Sequence, residues 1–163
     1  MLSRKGCVRP ALPGDVPELI GHMRSLAVFE GYFDDFAVDE HALLARAFGE
    51  SPECHVFVVQ GSEGIAGYAV GLIIPFTYDL RPTVVLKELF VAAIYRGQGF
   101  GAALLSHVAA WTLEQGAARL KWDVLAGNHR AEAFYRQHGG RPVAKWMPYQ
   151  MSEDGLKALS RVE

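Results

Sequence analysis

Basic residues never gather in this chain. Its 16 Lys and Arg are scattered among 18 Asp and Glu, for a formal charge of −2, so no field of one sign draws it to nucleic acid. No nucleic-acid partner is expected. Cysteine is almost absent: Cys7 and Cys54 are the only two, too few and too unpatterned for a disulfide framework or a zinc site. They read as free buried thiols in a reducing cytoplasm. The opening "MLSRKGCVRPALPGD" lacks an apolar h-region, and no uninterrupted apolar run reaches the ~18 residues of a membrane span. The expectation is a cytoplasmic protein with no membrane partner. The six histidines show no metal-ligand spacing, so no metal is expected. No repeat, low-complexity tract or long Pro/Gly/Ser linker divides the chain. Residues 1–163 read as one domain, large enough to bury roughly two thirds of its unfolded surface.

What is present is an alternation of helical and extended patterns. A short strand is predicted around Gly6–Arg9. Asp15 can then cap a helix whose apolar residues Leu19, Ile20, Met23, Leu26 and Ala27 recur at helical spacing and which ends near Glu30 and Gly31. A second helix is predicted from Asp39 to Phe48. The β-rich runs "HVFVVQ" and "GIAGYAVGLIIPF", separated by "GSEG", read as a hairpin, and "TVVLKELFVA" as the next strand. A helix follows to about Gln115, then a strand over "RLKWDVL", a short helix over "NHRAEAFYRQHGG", a last strand over "RPVAKWMPYQM" and a terminal helical turn over "SEDGLKALS". The order β-α-α-β-β-β-α-β-α-β describes an α/β domain with a mixed sheet.

Between the third long strand and its helix lies "YRGQGFGAALL", with Gly97, Gly99 and Gly101 at alternate positions behind Arg96. Glycines this dense mark backbone that approaches a ligand or adopts special dihedrals. A Walker A loop is excluded, because no Lys-Ser/Thr pair follows a glycine at the required offset. Gly97, Gly99 and Ala102 fit the dinucleotide fingerprint, with Asp123 beyond, but "AAIYR" intervenes between strand and glycine and too little chain follows for a doubly wound sheet. A phosphate cradle at a helix N-terminus also fits, since orphan N–H groups and the helix dipole favour an anion there. A plain strand-to-helix turn fits as well.

The flanks extend the pattern. "LFVAAIYRGQGFGAALL" resembles the acetyl-CoA pyrophosphate-binding motif of the GNAT acetyltransferase superfamily, "RPALPGDVPELI" resembles that family's opening strand and helix, and "NHRAEAFYRQHGG" its Asn-x-x-Ala-x-x-Phe-Tyr segment. Within the superfamily, "LAVFE", "FGESPECHVFVV", "TYD" and "LFV…YRGQGFG" resemble the diamine acetyltransferases of the spermidine/spermine type. The resemblance implies a GNAT fold, with a twisted, mostly antiparallel mixed sheet and helices on both faces. It implies acetyl-CoA as co-substrate and a homodimer in which the last strand takes part.

The resemblance also implies roles for residues. The backbone of Phe90 and Val91 would bind the pantetheine arm, and Arg96, Gly97, Gln98, Gly99, Phe100 and Gly101 the pyrophosphate, joined by Asn128. Gln98 and Phe100 count here for their backbone, with Phe100 packing inward. Tyr135 matches the tyrosine that donates a proton to the departing thiolate; on pattern alone, Ala131, Tyr135 and His138 form a packing stripe. Relatives carry Glu-Asp where this chain has Lys87-Glu88. Only a free amine attacks a thioester, and a primary amine is mostly ammonium at neutral pH, so a base is required. Glu88 is one candidate and a water relay through backbone carbonyls the other.

The acceptor reading rests on charge. Polyamines are polycations, so their groove should carry several carboxylates; Glu30 and Asp79, in the matching "FE" and "TYD" segments, and Glu88 are the candidates. Asp34 and Asp35 lack such support. Arg81 adds a cation that would suit an acceptor with a carboxylate, such as lysine, ornithine or thialysine. The expected function is acetyl transfer to a primary amine of a small diamine, polyamine or diamino acid by direct attack in a ternary complex. Protein acetylation and a non-catalytic acetyl-CoA-binding module are the alternatives.

Overall fold

In "HVFVVQ" the residues between the two ends are all buried, which a strand achieves only if both of its faces are covered. The structure shows how. The computed structural model describes residues 6–161, which fall into two compact units divided between Gly127 and Asn128.

The first unit holds five strands: β1 Val8–Pro10, β2 His55–Gln60, β3 Ile65–Ile74, β4 Thr83–Val91 and β5 Arg119–Lys121. They form one sheet in the order β1-β2-β3-β4-β5. Every neighbouring pair is antiparallel except β4 and β5, which are parallel. Three helices cover the sheet: α1 Val16–Glu30, α2 Glu40–Ala47 and α3 Phe100–Glu114. The α1 stripe of Leu19, Ile20, Met23 and Leu26 packs with Val56, Val58, Tyr68, Val70 and Phe90 in one core, to which α2 adds Leu43. On the opposite face, Phe57 meets the His107 and Trp111 rings of α3 at 4.9 and 5.2 Å. The expected mixed, mostly antiparallel sheet with helices on both faces is therefore present.

Local chemistry ends the elements where expected. Gly31 stops α1 in the left-handed region at φ 81°, and Asp39 caps α2 by accepting from the Ala42 N–H at 2.7 Å. Asp15 stands at the start of α1 but does not cap it. Its carboxylate takes Arg9 at 2.7 and 2.9 Å and the Leu12 N–H at 2.7 Å.

The second unit holds α4 His129–Gln137 and α5 Glu153–Leu159. Asn128 caps α4 through the Ala131 N–H at 3.1 Å, and Ser152 caps α5 through the Gly155 N–H at 3.2 Å. The strand predicted over residues 141–151 does not form. Pro142 and Pro148 cannot donate to a ladder, and the apolar Val143, Trp146, Met147 and Tyr149 do not alternate as one buried strand face requires. β5 is also shorter than "RLKWDVL", because it pairs with β4 over Thr83–Val85 alone.

Where β3 and β4 cross, a Cβ on Gly67 would fall against the Phe90 carbonyl oxygen, inside van der Waals contact, and close to Val91. Backbone cannot swing aside as a side chain can. Gly67→Ala should therefore destabilise the protein by about 1–3 kcal/mol, as overpacking does, read as a fall of several degrees in Tm. An unchanged melting curve would show that the two strands part without strain.

Candidate active site

β4 has β5 beside it only at Thr83–Val85. From Leu86 to Val91 its ladder partner among the described residues is β3 alone. The Ala92 N–H donates to Ala66 O at 2.9 Å, and bonded pairs alternate along an antiparallel ladder. Phe90, opposite Tyr68, therefore commits its own backbone groups to β3. Leu89 and Val91 direct theirs to the open edge, and the Val91 carbonyl accepts from Arg96 Nε at 2.9 Å. The edge expected from Phe90 and Val91 is thus presented by Leu89 and Val91. Counting along the ladder identifies Leu89, a step that needs the register.

A 3-10 turn at Ala93–Tyr95 leads from this edge into the glycine loop. Gly97 and Gly99 have φ of 75° and 88°, in the region that glycine reaches without strain. A Cβ at either would meet nothing within 4 Å. Gly99 is the N-cap of α3, so the N–H groups of Phe100, Gly101 and Ala102 have no partner within the helix. Phe100 is buried, edge-on to Tyr95 at 5.6 Å, and Gln98 donates back to Ile94 O at 3.0 Å. The loop therefore offers backbone and Arg96, whose guanidinium lies 5.9 Å from the Phe90 ring centre. Open glycine backbone, orphan donors and one guanidinium suit a pyrophosphate.

The α1 face of the same strand carries acid. Tyr68, fully buried, donates its hydroxyl to Glu88 Oε2 at 2.8 Å. Burial holds the Glu88 carboxyl above its usual range; the Tyr68 hydrogen bond opposes this, Glu30 adds to it and Lys87 opposes it. Glu30, on the last turn of α1, is raised by partial loss of solvent against the pull of Lys87. The Tyr32 phenol is pushed up to about 12 by burial and by Glu88 and Glu30. Cys54 is raised by burial, then by Glu88 and Glu53. Glu30 acts on Glu88 as a like charge and Lys87 acts on both, an arrangement that suits a cation.

The other predicted carboxylate lies elsewhere. Asp79 is ion-paired with Arg119, whose guanidinium also bonds Thr83 at the start of β4. Thr83 is five residues from Glu88, roughly 16 Å along a strand. Arg81 goes the same way, reaching the Ala117 carbonyl at 3.4 Å and bonding Asp79 through its backbone N–H at 3.2 Å. The expected groove of Glu30, Asp79 and Glu88 with Arg81 at its mouth thus contracts to Glu30 and Glu88. The β3–β4 loop folds onto β5 instead. In the second unit, Tyr135 is partly buried on α4, its ring 5.2 Å from that of Phe134. Among the described residues, no group of three or more His, Cys, Asp or Glu could hold a metal ion, and no helix is long and apolar enough to cross a membrane.

Residues 18–139 match the Acetyltransferase (GNAT) family. The thialysine N-epsilon-acetyltransferase of Sus scrofa is 29% identical over 165 residues, covering 94% of this chain and 96% of its own length. The L-ornithine N5-acetyltransferase of Arabidopsis thaliana is 31% identical over a shorter stretch, 47% of this chain and 34% of that protein. Among solved structures, an integron cassette protein from the mobile metagenome of V. cholerae superposes with a TM-score of 0.78 at 24% identity, covering 96% of this chain and 98% of its own, a likeness of fold.

The charged Glu88 should weaken the fold that holds it. A carboxyl whose folded-state affinity for its proton is raised stabilises most while protonated, and that stability is lost as pH rises from the unfolded value through the folded one. Glu88→Gln keeps an acceptor for the Tyr68 hydroxyl and removes the charge. Thermal melts should give a higher Tm for this variant at pH 7, with the gain shrinking towards about pH 4, where Glu88 is itself neutral. A gain equal at both pH values would show that charge burial is not its source.

Proposed function

Because the chain belongs to the Acetyltransferase (GNAT) family, we propose that it transfers the acetyl group of acetyl-CoA to the side-chain amine of a small diamino acid, with Glu88 as base and Tyr135 as acid. The observation that carries the acceptor class is the pair Glu30 and Glu88, both held above the usual carboxylate range with Lys87 acting on both. An ammonium group placed between them would relieve their repulsion. Lys87 stands where the family carries a carboxylate, and its cation gives an α-carboxylate a partner that a polyamine could not use. The substrates named for the thialysine and ornithine enzymes are of this class.

When bound, acetyl-CoA supplies an activated thioester. The N–H groups of Gly97 to Ala102 with Arg96 would hold its pyrophosphate, and the open edge at Leu89 and Val91 its pantetheine amides. Glu88 takes a proton from the acceptor ammonium, which leaves the free amine that attacks. The C–N bond forms and the C–S bond breaks as Tyr135 would give its proton to the thiolate; the second nitrogen proton, lost as the amide forms, would restore the Tyr135 hydroxyl through water. On this reading Asn128 acts through its cap on α4, which fixes the helix that carries Tyr135. We read residues 1–163 as one acetyltransferase domain, working in the cytoplasm as a homodimer by family analogy.

Coenzyme A release, measured across diamino acids, polyamines, monoamines and peptides, tests the acceptor. Lysine-, ornithine- or thialysine-like acceptors should exceed spermidine in kcat/KM, and Lys87→Glu should reverse that order by raising KM for the carboxylate-bearing ones. Turnover confined to peptides would refute the small-molecule reading. Tight acetyl-CoA binding with no turnover on any amine would favour a binding module.

Tyr135→Phe removes one hydroxyl and keeps the ring. Stopped-flow and steady-state assays should show kcat reduced by about 10²–10⁴-fold, the range for loss of a general acid, with acetyl-CoA affinity unchanged. Wild-type kcat would return Tyr135 to a packing role.

A further inference from the structure

The base reading leaves open what aims the base. Glu88 has two carboxylate oxygens, and they are not equivalent. Oε2 accepts the Tyr68 hydroxyl at 2.8 Å, whereas Oε1 accepts no hydrogen bond among those found in the described residues. Tyr68 is fully buried between α1 and the sheet, in ring contact with Phe90 at 5.8 Å, and cannot turn to another partner. Its register is fixed too, because β3 sets Tyr68 opposite Phe90 and Val70 opposite Glu88. A buried phenol needs an acceptor, and a carboxylate in partly desolvated surroundings needs a donor. Each satisfies the other's requirement. Lys87, next along β4 at the register shift against β3, acts on Glu88 through its charge.

We propose that Tyr68 is a positioning residue for Glu88, holding Oε2 so that Oε1 is the oxygen that takes the acceptor's proton. The inference rests on the proposed function through Glu88 as base. The proton balance is simple: the acceptor ammonium gives H⁺ to Oε1, the Tyr68 O–H bond stays intact, and Glu88 later returns the proton to water. Burial and the Glu88 charge both push the Tyr68 phenol far above its usual range, which keeps it a donor throughout the cycle. The other groups acting on Glu88 are Glu30 on α1 and Lys87 on β4, and its own charge bears on Tyr32 and on Cys54 ahead of β2. Among the hydrogen bonds found in the described residues, the carboxylate's partner is Tyr68.

Tyr68→Phe removes this bond and keeps the ring. A hydrogen bond to the ionised form favours that form, so its loss should move the acid limb of kcat/KM up by about one pH unit, as expected for one bond to a charged group. Turnover on the acid limb should fall up to about tenfold, as a one-unit shift gives, while acetyl-CoA affinity holds. A pH profile superimposable on the wild type would overturn the inference, since a purely structural role moves stability and not the limb. If Tyr68→Phe fails to fold, 3-fluorotyrosine incorporated at position 68 keeps the shape with a stronger donor and should move the limb down; an unmoved limb there overturns the inference equally. Glu88→Gln separates the two readings. If that variant turns over at the wild-type rate, the base assignment fails and this inference with it. If it is inactive while both position-68 variants leave the limb in place, the base stands and the role of Tyr68 alone is lost.

Discussion

Among the described residues, strand β4 loses its second neighbour after Val85, and the candidate site depends on that loss. Unpaired main-chain groups in a sheet edge are ready to pair with an extended ligand. Here they belong to Leu89 and Val91, with Arg96 folded back onto the last of them. The same strand continues into the glycine loop and the N-terminus of α3. One run of backbone thus carries the edge and the glycine loop in sequence. Alternation along it sends Glu88 and Phe90 to the α1 face. A strand paired on both sides throughout would have the side chains and lack the edge.

The carboxylates on that face set stability against chemistry. A charged group taken from water is unfavourable unless its partners replace the lost solvation, and for Glu88 the replacement is one phenol and the nearby charge of Lys87. Glu30 makes matters worse, being a carboxylate at the C-terminal end of a helix, where the dipole disfavours negative charge. Such arrangements cluster at functional sites. The apolar core of α1, β2 and β3 beneath them supplies the stability that the site does not.

The loop between β3 and β4 is organised by a different balance. Arg119 joins Asp79, Thr83 and the face of Tyr78, its guanidinium 5.0 Å from that ring centre. An arginine with a planar fork engages several partners at once. That explains why Asp79, although it falls in a segment shared with diamine acetyltransferases, contributes to the loop and not to the Glu88 site.

Much was legible in the residues themselves. The periodicity of Leu19, Ile20, Met23 and Leu26, the β-rich apolar run in "HVFVVQ" and the stop at Gly31 are local facts, and local geometry follows from them. The glycine loop was legible for the same reason, since left-handed backbone at Gly97 and Gly99 needs glycine wherever the loop lies. Other features depended on partners distant in sequence. Residues 141–151 are rich enough in apolar side chains to suggest a strand, yet strands exist only in pairs, and no residue composition guarantees the neighbour. Glu30, Tyr68 and Glu88 lie on three elements, and their meeting depends on how α1 crosses β3 and β4. Asp79 and Glu88 looked alike as carboxylates near one strand, until Arg119, forty residues beyond Asp79, took the first. Sequence determines what each segment can do alone, because torsions and periodicity are local; only the tertiary structure decides which charges meet, because electrostatic and hydrogen-bond energies depend on distance through space and on the solvent excluded between the groups.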